Sequence, residues 1–217
     1  MISDYDVKKA LKPLKFIFWG GILCVIDFKH TSTVNGSGVS FDFLNDFIGM
    51  LMITYGVFKL SEITIDMSYS KMMNFVKIIA VISSIKAFEG HFLYQKSELY
   101  SVGVTLLMIA ELVAIMLFCT SMITFSNEAD LTESSGKWSL TRLLFGIIYV
   151  IPLGLFYVAS IFAILTRQSF HLNLGPFGLL LIPVFLVPIF FILKSTNSMR
   201  NEISGLNYTE INPVYEN

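Results

Sequence analysis

Residues 41–62 read FDFLNDFIGMLMITYGVFKLSE, and this stretch decides how the rest of the chain is organised. It opens with two carboxylates four residues apart, Asp42 and Asp46, and the next 12 residues are almost all apolar. On a helix, both aspartates would share one face with Gly49 and Gly56. Two glycines seven residues apart form a smooth strip on which another helix can approach closely. The stretch therefore predicts a membrane helix that packs inside a bundle and has an acidic outer end.

The composition of the whole chain indicates that lipid is its solvent. Of its 217 residues, 54% are hydrophobic and only 14% are charged, and the mean hydropathy is +0.69. Soluble domains carry about 25% charged residues, so a soluble core would not hide this much apolar surface. The formal net charge of −1 gives no reason to expect nucleic acid as a partner. Cys24 and Cys119 lie in apolar runs, which favours two buried thiols over a disulfide framework.

Several long apolar runs predict an all-α fold, a polytopic membrane bundle of about six transmembrane helices. The segment 29–40 is polar and holds two glycines, which predicts a surface turn after the first span. Residues 127–138 are interpreted as a polar loop, and residues 194–217 as a loosely ordered polar cytoplasmic tail. The predicted spans are residues 14–28, 43–62, 71–92, 99–125, 140–165 and 176–193.

The distribution of positive charge predicts the orientation of the bundle. Six spans place both termini on the same side of the membrane. If that side is the cytoplasm, only four of the 15 lysines and arginines lie outside, as the positive-inside rule favours. We therefore predict an N-in and C-in arrangement, with Trp138 as an anchor at the interface. The four outer residues would be Lys29, Lys86, Lys96 and Arg167.

Glu111 lies close to the middle of the fourth predicted span. A charge there costs about 2.5 to 3.5 kcal/mol on insertion scales, so the side chain should face the bundle interior or water. With Lys86 and Asp46 it forms a candidate intramembrane polar site for protons or cations. The alternative is structural: a Glu bonded to Ser, Thr or Tyr of another helix, or paired with Lys86 or Lys77. We expect Glu111→Gln to leave folding nearly intact, whereas aggregation of this variant would indicate a structural, paired charge.

A second group of carboxylates and imidazoles is predicted at the outer surface. Converging groups of this kind can bind a divalent metal or another ion. Their spacing matches no known ligand signature, so no metal is assigned, and a hydrated rim of helix ends is the competing interpretation. The aspartates in the group would also cap the start of the second helix. The group comprises Asp27, His30, Asp42, Asp46, Glu89, His91 and Glu98.

The sequence contains no catalytic constellation. It has no Walker loop, no GxSxG segment and no paired metal-ligand motif. No cofactor is predicted. An intramembrane enzyme would need His91 or His30 beside a nucleophile or a metal. We therefore interpret the chain as a non-enzymatic membrane protein.

The segment at residues 26–50 resembles a pattern in uncharacterised bacterial multi-spanning membrane proteins. The tripeptide IDF at residues 26–28 is followed, after a polar loop, by FDFLNDFIG at residues 41–49. Those proteins carry a segment like FDxLPDFIGY after their first helix, and here Asn45 and Met50 replace the Pro and the Tyr. The resemblance implies a multi-pass protein of the bacterial cytoplasmic membrane, and it implies no particular activity.

The leading functional hypothesis is a subunit, scaffold or accessory factor of a membrane complex. Its partners would be the lipid bilayer and either another membrane protein or a second copy of itself. Loops too short to form a soluble domain and the strip of Gly49 and Gly56 support this hypothesis. The alternative is a small secondary transporter or channel with Glu111 in its pathway. The hypotheses differ in whether the polar groups converge on a water-filled cavity.

Overall fold

The computed structural model describes most of the backbone and the side chains of the helical body. The backbone is described for residues 4–26, 29–34, 37–42, 46–90, 92–93, 98–166 and 177–211. Side chains are described for residues 6–26, 46–90, 99–166 and 183–206. Within these ranges the chain is predominantly α-helical, which confirms the all-α prediction for the body of the protein.

The helices run back and forth along the bundle, and these consecutive segments, called passes below, close into a ring. Neighbouring passes are antiparallel, and the last helix packs against both the fifth pass and the first. A π-helical segment, Gly146–Val150, divides the fifth pass into two helices. The helices are α1 (Asp4–Lys9), α2 (Leu11–Val25), α3 (Asp46–Ser61), α4 (Met67–Glu89), α5 (Glu98–Glu128), α6 (Thr132–Phe145), α7 (Ile151–Leu165) and α8 (Phe177–Ile211).

The main buried core lies at the end of the bundle where the first and last helices meet. Val7 and Ala10, near the N-terminus, share this core with Met199 and Ile203 of α8. The ends of α3 and α5 and the starts of α4 and α6 contribute to the same core. We call this end the terminal end, and the opposite end, where a small sheet lies, the sheet end.

The sheet was not predicted. Strand β1 (Lys29–Val34) pairs antiparallel with β2 (Ser37–Asp42), and β2 pairs antiparallel with β3 (Phe92–Leu93). The prediction of a surface turn over residues 29–40 is therefore wrong, because most of this segment is paired as a hairpin. The sequence Asn35-Gly36 stands between the two strands, and Asn-Gly between β-branched runs is a strong hairpin signal.

The hairpin also removes Asp42 from the second pass. Asp42 is the last residue of β2 and pairs in register with Lys29, whereas α3 begins at Asp46. The prediction that the two aspartates share one helical face is wrong, because side chains in a strand alternate with a period of two. Asp42 therefore cannot cap α3 from within the same helix.

Two segments predicted as loop or tail are helical. Helix α6 begins at Thr132, inside the predicted polar loop, and α8 continues to Ile211, so the prediction of a loosely ordered tail is wrong up to that residue. Both segments bury one face, which combines small polar side chains with large apolar ones. The buried residues recur every three or four positions, which is the pattern of an amphipathic helix. They are Ser134, Trp138, Thr141 and Phe145 in α6 and Ser195, Thr196, Met199 and Ile203 in α8.

The turn between α3 and α4 is fixed by two hydrogen bonds. The Asp66 carboxylate caps α4 by accepting from the Tyr69 backbone N–H at 2.5 Å. The Tyr69 hydroxyl donates to the Leu60 carbonyl at 2.9 Å, which satisfies an acceptor in the last turn of α3. Burial raises the pKa of Tyr69, so the phenol remains a neutral donor.

One hydrogen bond joins the irregular segment of the fifth pass to the proline-containing part of the sixth. The hydroxyl of Tyr149, in the π-helical segment, donates to the Phe185 carbonyl at 2.6 Å. Phe185 lies three residues before Pro188, and a proline inside a helix weakens the hydrogen bonds of the preceding carbonyls. The N–H that Pro188 lacks would have served the carbonyl of Val184, so the neighbouring helix donates one residue away, in the turn that the proline disturbs.

Two helical stretches in the described part of the chain are long and apolar enough to cross a membrane by length and composition. They are Leu99–Glu128 and Thr132–Leu165. Helices α2 and α3 have 15 and 16 residues, fewer than the roughly 20 that a full span needs. Helices long enough to cross a membrane therefore stand beside shorter ones in the same ring.

Candidate functional site

Two adjacent serines of α4 contact two different helices. Ser84 Oγ lies 2.9 Å from Thr54 Oγ1 of α3, and Thr54 also lies 3.1 Å from the Ala80 carbonyl, to which it donates. Ser83 donates to Glu111 Oε1 of α5 at 2.7 Å. Successive helical residues are separated by about 100°, so neighbours in sequence can face different partners. Polar contacts therefore link α3, α4 and α5.

Glu111 is held by Lys86 as well as by Ser83. Lys86 Nζ donates to both carboxylate oxygens of Glu111, at 3.1 Å and 2.9 Å. The side chains of Lys86 and Glu111 are 29% and 26% exposed. The carboxylate thus accepts three hydrogen bonds from α4, and its charge is neutralised within the protein. Ser83, Lys86 and Glu111 together are called the charge cluster below.

Asp46 lies in a different helix contact. The Asp46 carbonyl accepts a hydrogen bond from Cys24 Sγ at 3.8 Å, so this end of α3 meets α2. Lys77, the other cation considered for Glu111, lies with its Nζ 5.4 Å from the centre of the Phe58 ring. Of the three residues predicted for the intramembrane polar site, the structure pairs Glu111 with Lys86 and places Asp46 elsewhere.

Gly49 and Gly56 face α2. A Cβ atom added at Gly56 would lie 2.5 Å from Ile17 Cγ1 and 2.7 Å from the Pro13 carbonyl oxygen. A Cβ atom at Gly49 would lie 2.8 Å from the carbonyl oxygen of Gly20, a third glycine in the same contact. Because two of these neighbours are backbone atoms, α2 and α3 can approach this closely only where a side chain is missing.

The predicted group at the outer surface is described only in part. The backbone alone is described for His30, Asp42 and Glu98, while Asp27 and His91 lie outside the described residues. Side chains are described for Asp46 and Glu89, and the Glu89 carboxylate accepts from the Tyr100 hydroxyl at 2.8 Å. Among the described side chains, no three His, Cys, Asp or Glu residues are grouped to hold a metal ion. The outer ion site stays a prediction.

The sequence reasoning missed a row of polar contacts between α6 and α8. Residues 134, 137 and 141 recur at helical spacing, and so do residues 195, 198 and 202, which is the signal that could have identified the row. The Glu202 carboxylate also caps α6, since it accepts from the Ser134 backbone N–H. The contacts are Ser134 N–H to Glu202 at 2.9 Å, Lys137 Nζ to Ser198 at 2.6 Å, and Thr141 Oγ1 to Ser195 Oγ at 2.8 Å.

Trp138 lies in the same face of α6 and is fully buried. Its ring packs edge-on against Phe118 of α5, with centroids 5.6 Å apart. The prediction of an interfacial anchor is therefore wrong for Trp138, because the α6 face that carries it turns into the core. Trp19 has the exposure that such an anchor needs, at 48%.

Comparisons of this chain with protein-family models, with curated proteins and with solved structures return no match.

Proposed function

We propose that the chain is a multi-pass integral protein of the bacterial cytoplasmic membrane, with six passes and with the terminal end on the cytoplasmic side. Two stretches of full membrane-crossing length and the apolar composition support this placement. Exposed large apolar side chains on every pass of the ring also support it, since water would penalise them. The positive-inside distribution of lysine and arginine supports the orientation.

We propose further that the protein is a non-enzymatic subunit or accessory factor of a membrane complex. The main support for this proposal is that Lys86 and Ser83 both bind Glu111, because a carboxylate neutralised in this way has a structural role. The Glu111 carboxylate, the group best suited to a chemical role, therefore serves to join α4 to α5. The part of the molecule left to bind a partner is the outer surface of the ring.

Helix α7 offers the most exposed part of that surface. It contacts α5, and one long face of the fifth pass carries large apolar side chains at helical spacing. Residues of this face are between 56% and 71% exposed. A transmembrane helix of a partner protein, or of a second copy, would pack here by shape and dispersion. The face comprises Ile147, Ile151, Leu155, Val158, Phe162 and Leu165.

Gentle purification from the native membrane tests the proposal. We expect the intact particle to contain a second polypeptide, or a second copy of this chain, in stoichiometric amount when its mass is determined. Phe162→Ala with Leu155→Ala should release that partner, whereas Leu99→Ala, at an exposed site on α5, should not. A particle that contains one copy of this chain alone would contradict the subunit proposal.

A small transporter is the second candidate, because the charge cluster is not sealed. About a quarter of the Glu111 side chain is exposed, so an ion could reach the carboxylate by displacing Lys86. Ion flux into vesicles that contain the protein alone, lost in Glu111→Gln, would support this candidate. Equal flux in both proteins would remove it.

The two partners in the charge cluster should respond unequally to substitution. We expect Lys86→Met to lower the free energy of unfolding by about 2 kcal/mol, because the Glu111 carboxylate would remain with Ser83 alone in a mostly apolar setting. Glu111→Gln should have a smaller effect, since the amide oxygen still accepts from Ser83 and Lys86, but folding should not stay intact as expected from the sequence, because the charge paired with Lys86 is lost. Thermal unfolding in detergent measures both, and Lys71→Met, at an exposed site on α4, is the matched control. Equal, small effects of Lys86→Met and Lys71→Met would contradict the structural role of the pair.

A further inference from the structure

Two arginines differ from three lysines of the terminal end in how they are partnered. In the described part of the chain, Lys9, Lys59 and Lys137 each pair with a carboxylate at that end. Arg142 and Arg200 instead donate to neutral oxygens, of Thr120 at 3.5 Å and of Asn197 at 2.8 Å. A guanidinium has five N–H donors and a charge, so one neutral acceptor leaves most of its capacity unused.

Arg200 lies in the seam between α2 and α8. Its guanidinium carbon is 5.6 Å from the centre of the Phe18 ring of α2, a cation–π contact that holds it at the seam. The hydrogen bond to Asn197 fixes the guanidinium from the α8 side. Arg200 is therefore positioned by both helices while part of its side chain stays exposed.

A second cation lies one helical turn before Phe18 on α2. Lys15 lies three residues before Phe18, so the two side chains share one side of α2, and Lys15 is exposed. An aromatic ring with a guanidinium on its face and an ammonium one turn away combines an apolar contact with two positive charges. A phosphodiester joined to acyl chains matches this combination, because basic pockets between membrane helices on the cytoplasmic side bind anionic lipid headgroups.

We propose that the α2–α8 seam at the terminal end binds an anionic phospholipid, whose phosphate is held by Arg200 and Lys15. The acyl chains lie along the apolar flank of α2 toward the sheet end. This inference rests on the proposed placement in a membrane. A zwitterionic lipid fits less well, because its own ammonium group competes with the two cations for the phosphate.

Native mass spectrometry of the full chain in a neutral detergent tests the site. The delipidated protein is titrated with phosphatidylglycerol and, separately, with phosphatidylcholine. We expect phosphatidylglycerol to be retained at several-fold lower concentration than phosphatidylcholine. Arg200→Gln and Lys15→Gln should each weaken the retention of phosphatidylglycerol about fivefold and leave that of phosphatidylcholine unchanged. Lys71→Gln, which removes an exposed charge from α4 at the same end, should change neither.

Three outcomes would overturn the site. They are equal retention of the two lipids, an effect of Lys71→Gln as large as that of Arg200→Gln, and displacement of phosphatidylglycerol by inorganic phosphate at the same concentration. Lys15→Gln keeps the test valid if Arg200→Gln does not fold, because Lys15 is exposed. Extraction of native membranes with alkaline carbonate tests the membrane placement separately: a protein that resists extraction without preferring phosphatidylglycerol is embedded but lacks this site.

Discussion

Gly56→Leu is expected to prevent α2 from packing on α3 and to leave little monodisperse protein after extraction in detergent. Even a Cβ atom at this position would lie 2.7 Å from the Pro13 carbonyl oxygen, and backbone cannot move aside as a side-chain tip can. Overpacking a tight contact costs about 1–3 kcal/mol, and the branched leucine side chain should reach or exceed the upper value. Size-exclusion chromatography and the midpoint of thermal unfolding measure the effect.

Gly154→Leu is the matched control for Gly56→Leu. Gly154 lies in α7, where no described atom of another helix lies within 4 Å of an added Cβ, so we expect a normal elution profile and an unchanged midpoint. Gly56→Ala should fall between the two leucine variants, because it adds only the Cβ atom. Similar behaviour of Gly56→Leu and Gly154→Leu would show that α2 and α3 are further apart than the structure indicates.

Trp138→Ala should also strongly destabilise the protein. The side chain is fully buried at the meeting point of α5 and α6, and its removal would leave a cavity beside Phe118. Replacing a buried aromatic residue by alanine costs about 3–5 kcal/mol in protein cores. We therefore expect a large decrease in the thermal unfolding midpoint, with partial recovery in Trp138→Phe, which keeps a ring against Phe118.

The second tryptophan of the chain provides the comparison. Trp19 is 48% exposed, so Trp19→Ala opens no cavity, and its unfolding midpoint should stay close to that of the unaltered protein. If both alanine variants lost the same stability, the burial of Trp138 and with it the amphipathic orientation of α6 would be wrong.

Much of the helical body is predictable from sequence because its signals are local. Glycines seven residues apart in an apolar stretch mark a close helix contact, and the structure places Gly49 and Gly56 against α2. The sequence also offers pairing with a lysine as one role for Glu111. It cannot choose between Lys86 and Lys77, because the choice depends on how α4 is rotated relative to α5, and rotation is set by packing across the whole ring.

The errors share a physical cause. A hydropathy scale treats charged residues as solvent-exposed. The polar first and last turns of a helix are therefore interpreted as loops. The contact between Ser134 and Glu202 joins residues 68 positions apart, and it lets both polar segments bury one face as helices. The hairpin of β1 and β2 has a local signal in Asn35-Gly36, but it competes with a strongly helical pattern that starts a few residues later.

The closure of the ring by α8 has a consequence for biosynthesis. In the proposed membrane placement, a chain made from its N-terminus contains α2 long before residues 193–202 exist, so the flank of α2 that meets Leu193 and Arg200 stays open while four further passes are made. The first amides of α6 likewise wait for the Glu202 carboxylate. Docking of α8 would therefore complete both contacts late, and a nascent chain stalled before residue 193 would leave this flank of α2 uncovered.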